Sequence, residues 1–70
     1  MKVAYIILET EKDKNGYIPC IVKENEKGYY KTDWNWGNDL KIAEQCAKEK
    51  NERLGLTERE VTELTVRSMF

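Results

Sequence analysis

The sequence predicts an α+β fold in which a three-stranded antiparallel meander precedes two helices, β-β-β-α-α, with both helices packed on one sheet face. Three observations carry this reading. Residues 2–34 hold three runs rich in β-branched and aromatic residues, separated by short polar turns. Past Gly37 the apolar spacing lengthens to three and four residues, the period of a helix. A second helix start is then written in Thr57 and Glu60.

The first strand is KVAYIILE (2–9). The second is GYIPCIVKE (16–24), in which Pro19 removes one backbone donor and so marks an edge or a bulge. The third is GYYKTDW (28–34), reached through the polar turn ENEKG. Between the first two lies EKDKNGYI, which is spaced like a calcium loop: Glu11, Asp13 and Asn15 as oxygen donors, Gly16 at the turn, Ile18 as the aliphatic. The position that should supply a bidentate Glu is Val22, and the preceding run is β-branched rather than helical. A hairpin turn at Asn15-Gly16 explains every residue, so no metal site is expected.

Gly37 ends the strands, and Asn38 or Asp39 supplies an oxygen to the first free N–H groups of a helix. Leu40, Ala43, Cys46, Ala47 and Leu54 form its apolar stripe, and Gly55 stops it. Glu44 with Lys48 and Glu49 with Arg53 stand at i,i+4 in the favourable order. Thr57 and Glu60 make a capping box, and Leu56 against Val61 a hydrophobic staple. The second helix runs from about Glu58 to Ser68, turning Val61, Leu64, Val66 and Met69 inward and pairing Glu63 with Arg67 outside.

Residues 1–70 are one domain, near the lower limit at which a single core suffices. Twelve basic and thirteen acidic residues are spread evenly, six and six over 1–35 and six and seven over 36–70. Neither half has the excess that draws a chain to nucleic acid or an anionic membrane. No apolar run approaches the roughly 20 residues of a membrane span, and the N-terminus lacks a signal peptide's apolar stretch, which leads us to expect a cytoplasmic protein. Cys20 and Cys46 are far apart in a chain without His, which excludes a four-ligand zinc site and makes both small core residues.

Strand alternation sorts the side chains into two faces. Ala4, Ile6, Leu8, Ile18, Cys20, Val22, Tyr30, Thr32 and Trp34 form the face assigned to the helices. Val3, Tyr5, Ile7, Tyr17, Pro19, Ile21, Lys23, Tyr29, Lys31 and Asp33 form the other. The second set is too apolar to meet only water. The second helix, a second copy or a ligand could cover it, and we expect a partner-binding surface at Tyr5, Ile7, Tyr17, Ile21, Tyr29 and Lys31 that takes a protein partner or a second copy in a homodimer. Trp34 and Trp36, two apart in DWNWGND, either roof the core at the strand-to-helix corner or form an aromatic clamp.

No catalytic residue, cofactor or metal is expected. The commonest neutral-pH proton shuttle is absent, the carboxylates sit in turns or on outward helix faces, and each glycine is isolated. The competing reading is single-stranded nucleic-acid binding, with tyrosines as stacking platforms and Lys2, Lys23 and Lys31 at phosphates. The net charge of −1 counts against it.

DWNWGNDL, NERLGLTEREV and the final SMF resemble a group of small uncharacterised proteins from phages and mobile elements of Gram-positive bacteria, over residues 33–70. That resemblance implies a cytoplasmic protein and carries no activity. The order of strand, NGY turn, two strands and an Ala-containing helix over residues 3–53 also resembles HicB-like antitoxin domains. It implies binding of a small toxin partner and dimerisation. This chain departs from them in lacking their proline- and glycine-containing segment after the second strand and a separate DNA-binding tail.

Overall fold

The computed structural model describes residues 2–70. The elements are β1 (Val3–Ile6), β2 (Lys12–Asp13), β3 (Gly16–Tyr17), β4 (Cys20–Lys23), β5 (Tyr30–Lys31), α1 (Leu40–Arg53) and α2 (Glu58–Met69). β1, β4 and β5 form an antiparallel sheet in that order, and β2 pairs with β3 as a separate two-stranded ribbon. An α+β fold with a three-stranded antiparallel sheet and two helices is thus observed, but the unbroken meander is not. The run 16–24 divides at Pro19, which has no N–H to offer a ladder. Gly16–Tyr17 folds back on Lys12–Asp13, while Cys20–Lys23 becomes the central strand. Pro19 is itself buried, and its carbonyl accepts the Thr32 N–H at 3.0 Å.

The ribbon turns at Lys14 and Asn15. The Asp13 carboxylate accepts the N–H of Asn15 at 2.7 Å and of Gly16 at 3.0 Å. Of the Asn15-Gly16 pair only Gly16 takes a positive φ, +145°. Space makes a second demand there, because a Cβ on Gly16 would collide with the backbone carbonyl of Gly37. The two segments are tied at this crossing: Tyr17 N–H donates to the Gly37 carbonyl at 2.8 Å, and Trp36 N–H donates to the Tyr17 carbonyl at 3.0 Å.

One face of the sheet carries the core. Ala4 and Val22, paired across β1 and β4, pack with Leu56 and Leu64, and Ile6, Tyr29, Val61 and Met69 lie against them. α2 covers this face, packing on β1 and β4, whereas α1 packs on β1. The expectation that both helices share one face is therefore corrected: α2 lies on the face and α1 along the β1 edge. The reason is a polar residue on the buried stripe of α1, which is Ala43, Ala47 and Asn51. The side-chain oxygen of Asn51 accepts the Tyr5 N–H at 2.8 Å, and its amide donates to the Tyr5 carbonyl at 2.9 Å. Lys2 already pairs with β4 through the Glu24 N–H, so by alternation Tyr5 turns both backbone groups away from β4. One side chain thus occupies the place of a neighbouring strand.

Local chemistry sets the helix ends. Asp39, rather than Asn38, caps α1 by accepting from Lys41 and Ile42 N–H. At its other end the Gly55 N–H reaches the Glu52 carbonyl and the Leu56 N–H the Asn51 carbonyl, a Schellman closure with Gly55 left-handed at φ +81°. Thr57 and Glu60 form the expected capping box on α2. Two stripe assignments fail: Leu54 and Val66 are each 49% exposed, while Asn51 and Ser68 are buried. Val66 sits more than a quarter-turn from the Val61–Leu64–Ser68 line. The helix ion pairs also differ, since Lys48 pairs with Glu58 on the other helix and Glu63 with Arg59.

Replacing Asn51 by Ala leaves two partly buried backbone groups without partners, and we expect a loss of about 2–3 kcal/mol in chemical denaturation. Asn51→Asp keeps the acceptor and loses the donor when ionised. Protonation restores the donor, so the native state favours the protonated carboxyl and stability falls as pH rises through its titration. Relative to Asn51→Ala, the Asp variant should gain stability below about pH 4; a constant difference between the two across pH would contradict this geometry. Gly16→Ala should lower stability by more than about 2 kcal/mol, since both φ and the Gly37 contact are violated.

Candidate binding face

The register decides which side chains share the face that α2 leaves open. Tyr5 lies opposite Ile21, and Ile21 opposite Tyr30, so these three stand in a row across the sheet. Val3 and Lys23 are the next pair along. From the segment that follows β5, Trp34 and Trp36 fold onto the same side: each ring centroid lies 6.4 Å from that of Tyr5, and the two indoles meet edge to face at 6.5 Å. Aromatic pairs at such distances attract beyond their buried area. Tyr30 remains 48% exposed and Trp34 40%, so the surface is an open aromatic face.

Cations border it. Lys50 of α1 places its Nζ 5.2 Å from the Tyr5 ring centre, and Lys23 places its own 4.6 Å from that of Tyr30. Arg53 joins Lys50, Trp34, Trp36, Cys46 and Glu49 around a cleft of about 300 Å³. Lys23, Lys50 and Arg53 belong to no ion pair among the described residues. The Tyr30 hydroxyl donates to Glu26 at 2.6 Å, and this bond raises the phenol pKa.

Of the six residues expected to share one surface, Tyr5 and Ile21 lie side by side on the open face. Tyr29 and Lys31 do not, because the phase of the third strand is inverted: Lys31 stands opposite Cys20, and Tyr29 packs toward the core. The cause lies in the preceding loop. Gly28 N–H donates to the Ser68 carbonyl at 2.7 Å, and the Ser68 hydroxyl reaches the Lys23 carbonyl at 3.4 Å, which pins the loop to the end of α2. Tyr29 and Lys31 instead meet at Glu11, which accepts the Tyr29 hydroxyl at 3.2 Å and pairs with Lys31 at 3.4 Å. Partial burial, and then the Glu11 bond, raise the Tyr29 pKa. Tyr17 lies in the separate ribbon with Lys12 over its ring, and Ile7 lies beyond the end of β1, in a groove beside the helices.

Tyr30 and Trp34 were assigned to the core face and stand on the open one. The Tyr29-Tyr30 doublet fits either phase, and long-range contacts accompany the one observed: Gly28 with Ser68, Thr32 with Pro19, and Tyr29 and Lys31 with Glu11. Trp34 and Trp36 lie outside any strand and neither roofs the core; both settle on Tyr5. Nothing in the sequence marked Lys50 or Arg53 for this face, because only the docking of α1 along β1 brings Lys50 to Tyr5 and Arg53 to the tryptophans.

No cluster among the described residues is arranged to hold a metal, and no helix among them is long and apolar enough to cross a membrane. The two cysteines are free. Cys20 is fully buried, and burial, with Glu11 adding to it, pushes its thiol up to about 11. Cys46 is half-buried at the rim of the tryptophan cleft. Comparison with protein-family models, curated proteins and solved structures gives no match.

At pH 8 in the native state, iodoacetamide should modify Cys46 and spare Cys20, with both reacting after denaturation. Because the folded-state pKa of Cys20 is raised, its contribution to stability is complete below the ordinary thiol range and is lost as pH rises toward about 11. Cys20→Ser, which does not titrate there, should lack that portion of the alkaline loss. Equal labelling of the two thiols in the native protein would refute the placement of Cys20.

Proposed function

We propose that this chain is a non-catalytic binding module that engages a protein partner, or a second copy of itself, through the open face of its sheet. The observation that carries the reading is the aromatic surface of Tyr5, Ile21, Tyr30, Trp34 and Trp36, which α2 leaves open, α1 only borders, and in which Tyr30 and Trp34 are exposed. Tyr and Trp with nearby Arg are the residue types that anchor protein interfaces. The fringe of Lys23, Lys50 and Arg53 calls for an acidic rim on the partner. A relationship to HicB-like antitoxin domains, which would imply partner binding, and a phage or mobile-element origin belong to the same proposal.

A second reading, single-stranded nucleic-acid binding, is favoured by one specific observation: cations sit over two of the rings and beside the tryptophans, the arrangement that pairs base stacking with phosphate contacts. Its platforms would be Tyr5, Tyr30 and Trp34 rather than Tyr17 and Tyr29.

Sedimentation at tens of micromolar, together with capture from host lysate by the wild type and by a Tyr30→Ala, Trp34→Ala double variant, tests the first reading. Concentration-dependent association, or a captured protein lost with the double variant and kept with Val66→Ala, is the expected result. A monomer at every concentration, with identical capture by all forms, removes it. Titration with short labelled oligonucleotides at low salt decides the second. Tryptophan quenching that weakens steeply with salt supports nucleic acid, and no response at high micromolar oligonucleotide ends that reading.

A further inference from the structure

A second surface, which meets the aromatic face only at Tyr5, lies past the point where Asn51 covers β1. There a groove of about 370 Å³ opens between the end of β1, α1 and the start of α2, its apolar lining including Ile6, Ile7, Ala47, Leu56 and Val61. We propose that it takes an extended segment of a partner protein in which two basic residues flank an aliphatic one, the segment's backbone pairing with that of Ile7.

Two observations support this occupant. The first is backbone chemistry. Tyr5 turns its N–H and C=O to the β1 edge, where the Asn51 amide satisfies them. Ile7 follows directly on the last residue of β1, and no hydrogen bond to its N–H or C=O is present among the described residues; were the strand alternation continued by one residue, these groups would face the same edge. An extended chain laid beside Ile7 would supply both missing bonds, as strands added to open sheet edges do.

The second is charge. Glu44, Lys48 and Glu52 line the α1 wall at successive turns. Lys48 reaches across to Glu58 at 3.2 Å, while Glu44 and Glu52 have no cation within ion-pair distance among the described residues. Eight helical residues separate these two carboxylates by about 12 Å along the axis. Two side chains four residues apart on one side of a strand are separated by about 13 Å. Basic residues at the first and fifth positions therefore match Glu44 and Glu52, leaving the third position over the apolar floor. The Lys48–Glu58 pair crosses the groove as an exposed and hence weak latch that the incoming segment must displace.

The test titrates the isotope-labelled full chain with acetyl-Lys-Thr-Leu-Thr-Lys-amide and with its counterpart bearing Glu for Lys, following backbone amides by NMR. Saturable shifts at Ile7, Ala47, Leu56 and Val61, with affinity about tenfold or more higher for the basic peptide, are expected. Glu44→Ala with Glu52→Ala should weaken binding by a similar factor, and Lys48→Ala should tighten it several-fold by removing the latch and a like charge. Equal affinity for the two peptides, shifts centred on Ile21 and Tyr30, or no response at millimolar peptide would each overturn the proposal. So would a dimer that Glu44→Lys dissociates, since the groove would then belong to a second copy. Variants at Tyr30 and Trp34 should leave the peptide response unchanged, which separates this surface from the aromatic face.

Discussion

The two hydrogen bonds between the Asn51 side chain and the Tyr5 backbone organise much of this molecule. A small sheet has edges, and an edge strand presents unpaired peptide groups that either bind another chain or must be covered. Here a side-chain amide does the covering, offering one acceptor and one donor to the two groups of a single residue. The same residue closes its helix, since its carbonyl accepts the Leu56 N–H. That closure delivers Leu56 to the core and Thr57 to the start of α2. Docking of α1, the turn between the helices and the placement of α2 are thus linked through one asparagine.

Placing α1 at the edge has a consequence for the sheet's faces. With one helix spent on the edge, only α2 is left to cover a face, and the side bearing Ala4 and Val22 receives it. The opposite side is sheltered only in part, by the indoles of a segment without regular structure. That segment is held by its own anchor, the crossing of Tyr17 with Trp36 and Gly37, which depends on the missing side chain of Gly16. The aromatic face is therefore built from three sources: a strand row, a loop fixed by backbone bonds, and two cations carried in by α1.

Charge follows the same division. The acidic and basic residues nearly cancel in number, yet tertiary pairing removes some and leaves others free. Lys2 is taken by Glu60, which raises the Lys2 pKa, while the Lys2 bond and then the Thr57 N–H lower that of Glu60. Lys31 is taken by Glu11 and Lys48 by Glu58. Among the charges left outside ion pairs, Lys23, Lys50 and Arg53 border the aromatic face together with Glu49, and Glu44 and Glu52 line the groove.

Features set by neighbours in sequence were legible in the sequence: the α+β class, the turn at EKDKNGYI, the Thr57–Glu60 capping box, the Gly55 stop and the buried Cys20. These depend on backbone propensity and on hydrogen bonds spanning a few residues, which composition and spacing encode directly. Features set by distant contacts were decided only by the tertiary structure. Pro19 divided a strand because Gly16–Tyr17 found a closer partner, Tyr29 and Tyr30 exchanged faces because Gly28 is bound to the far end of α2, and a polar Asn51 outranked Leu54 for burial because it alone satisfies Tyr5. A period-2 pattern reports which residues alternate but not which phase faces the core, and a helical stripe reports apolarity but not an amide's value at a strand edge. Both choices are made by bonds between residues tens of positions apart.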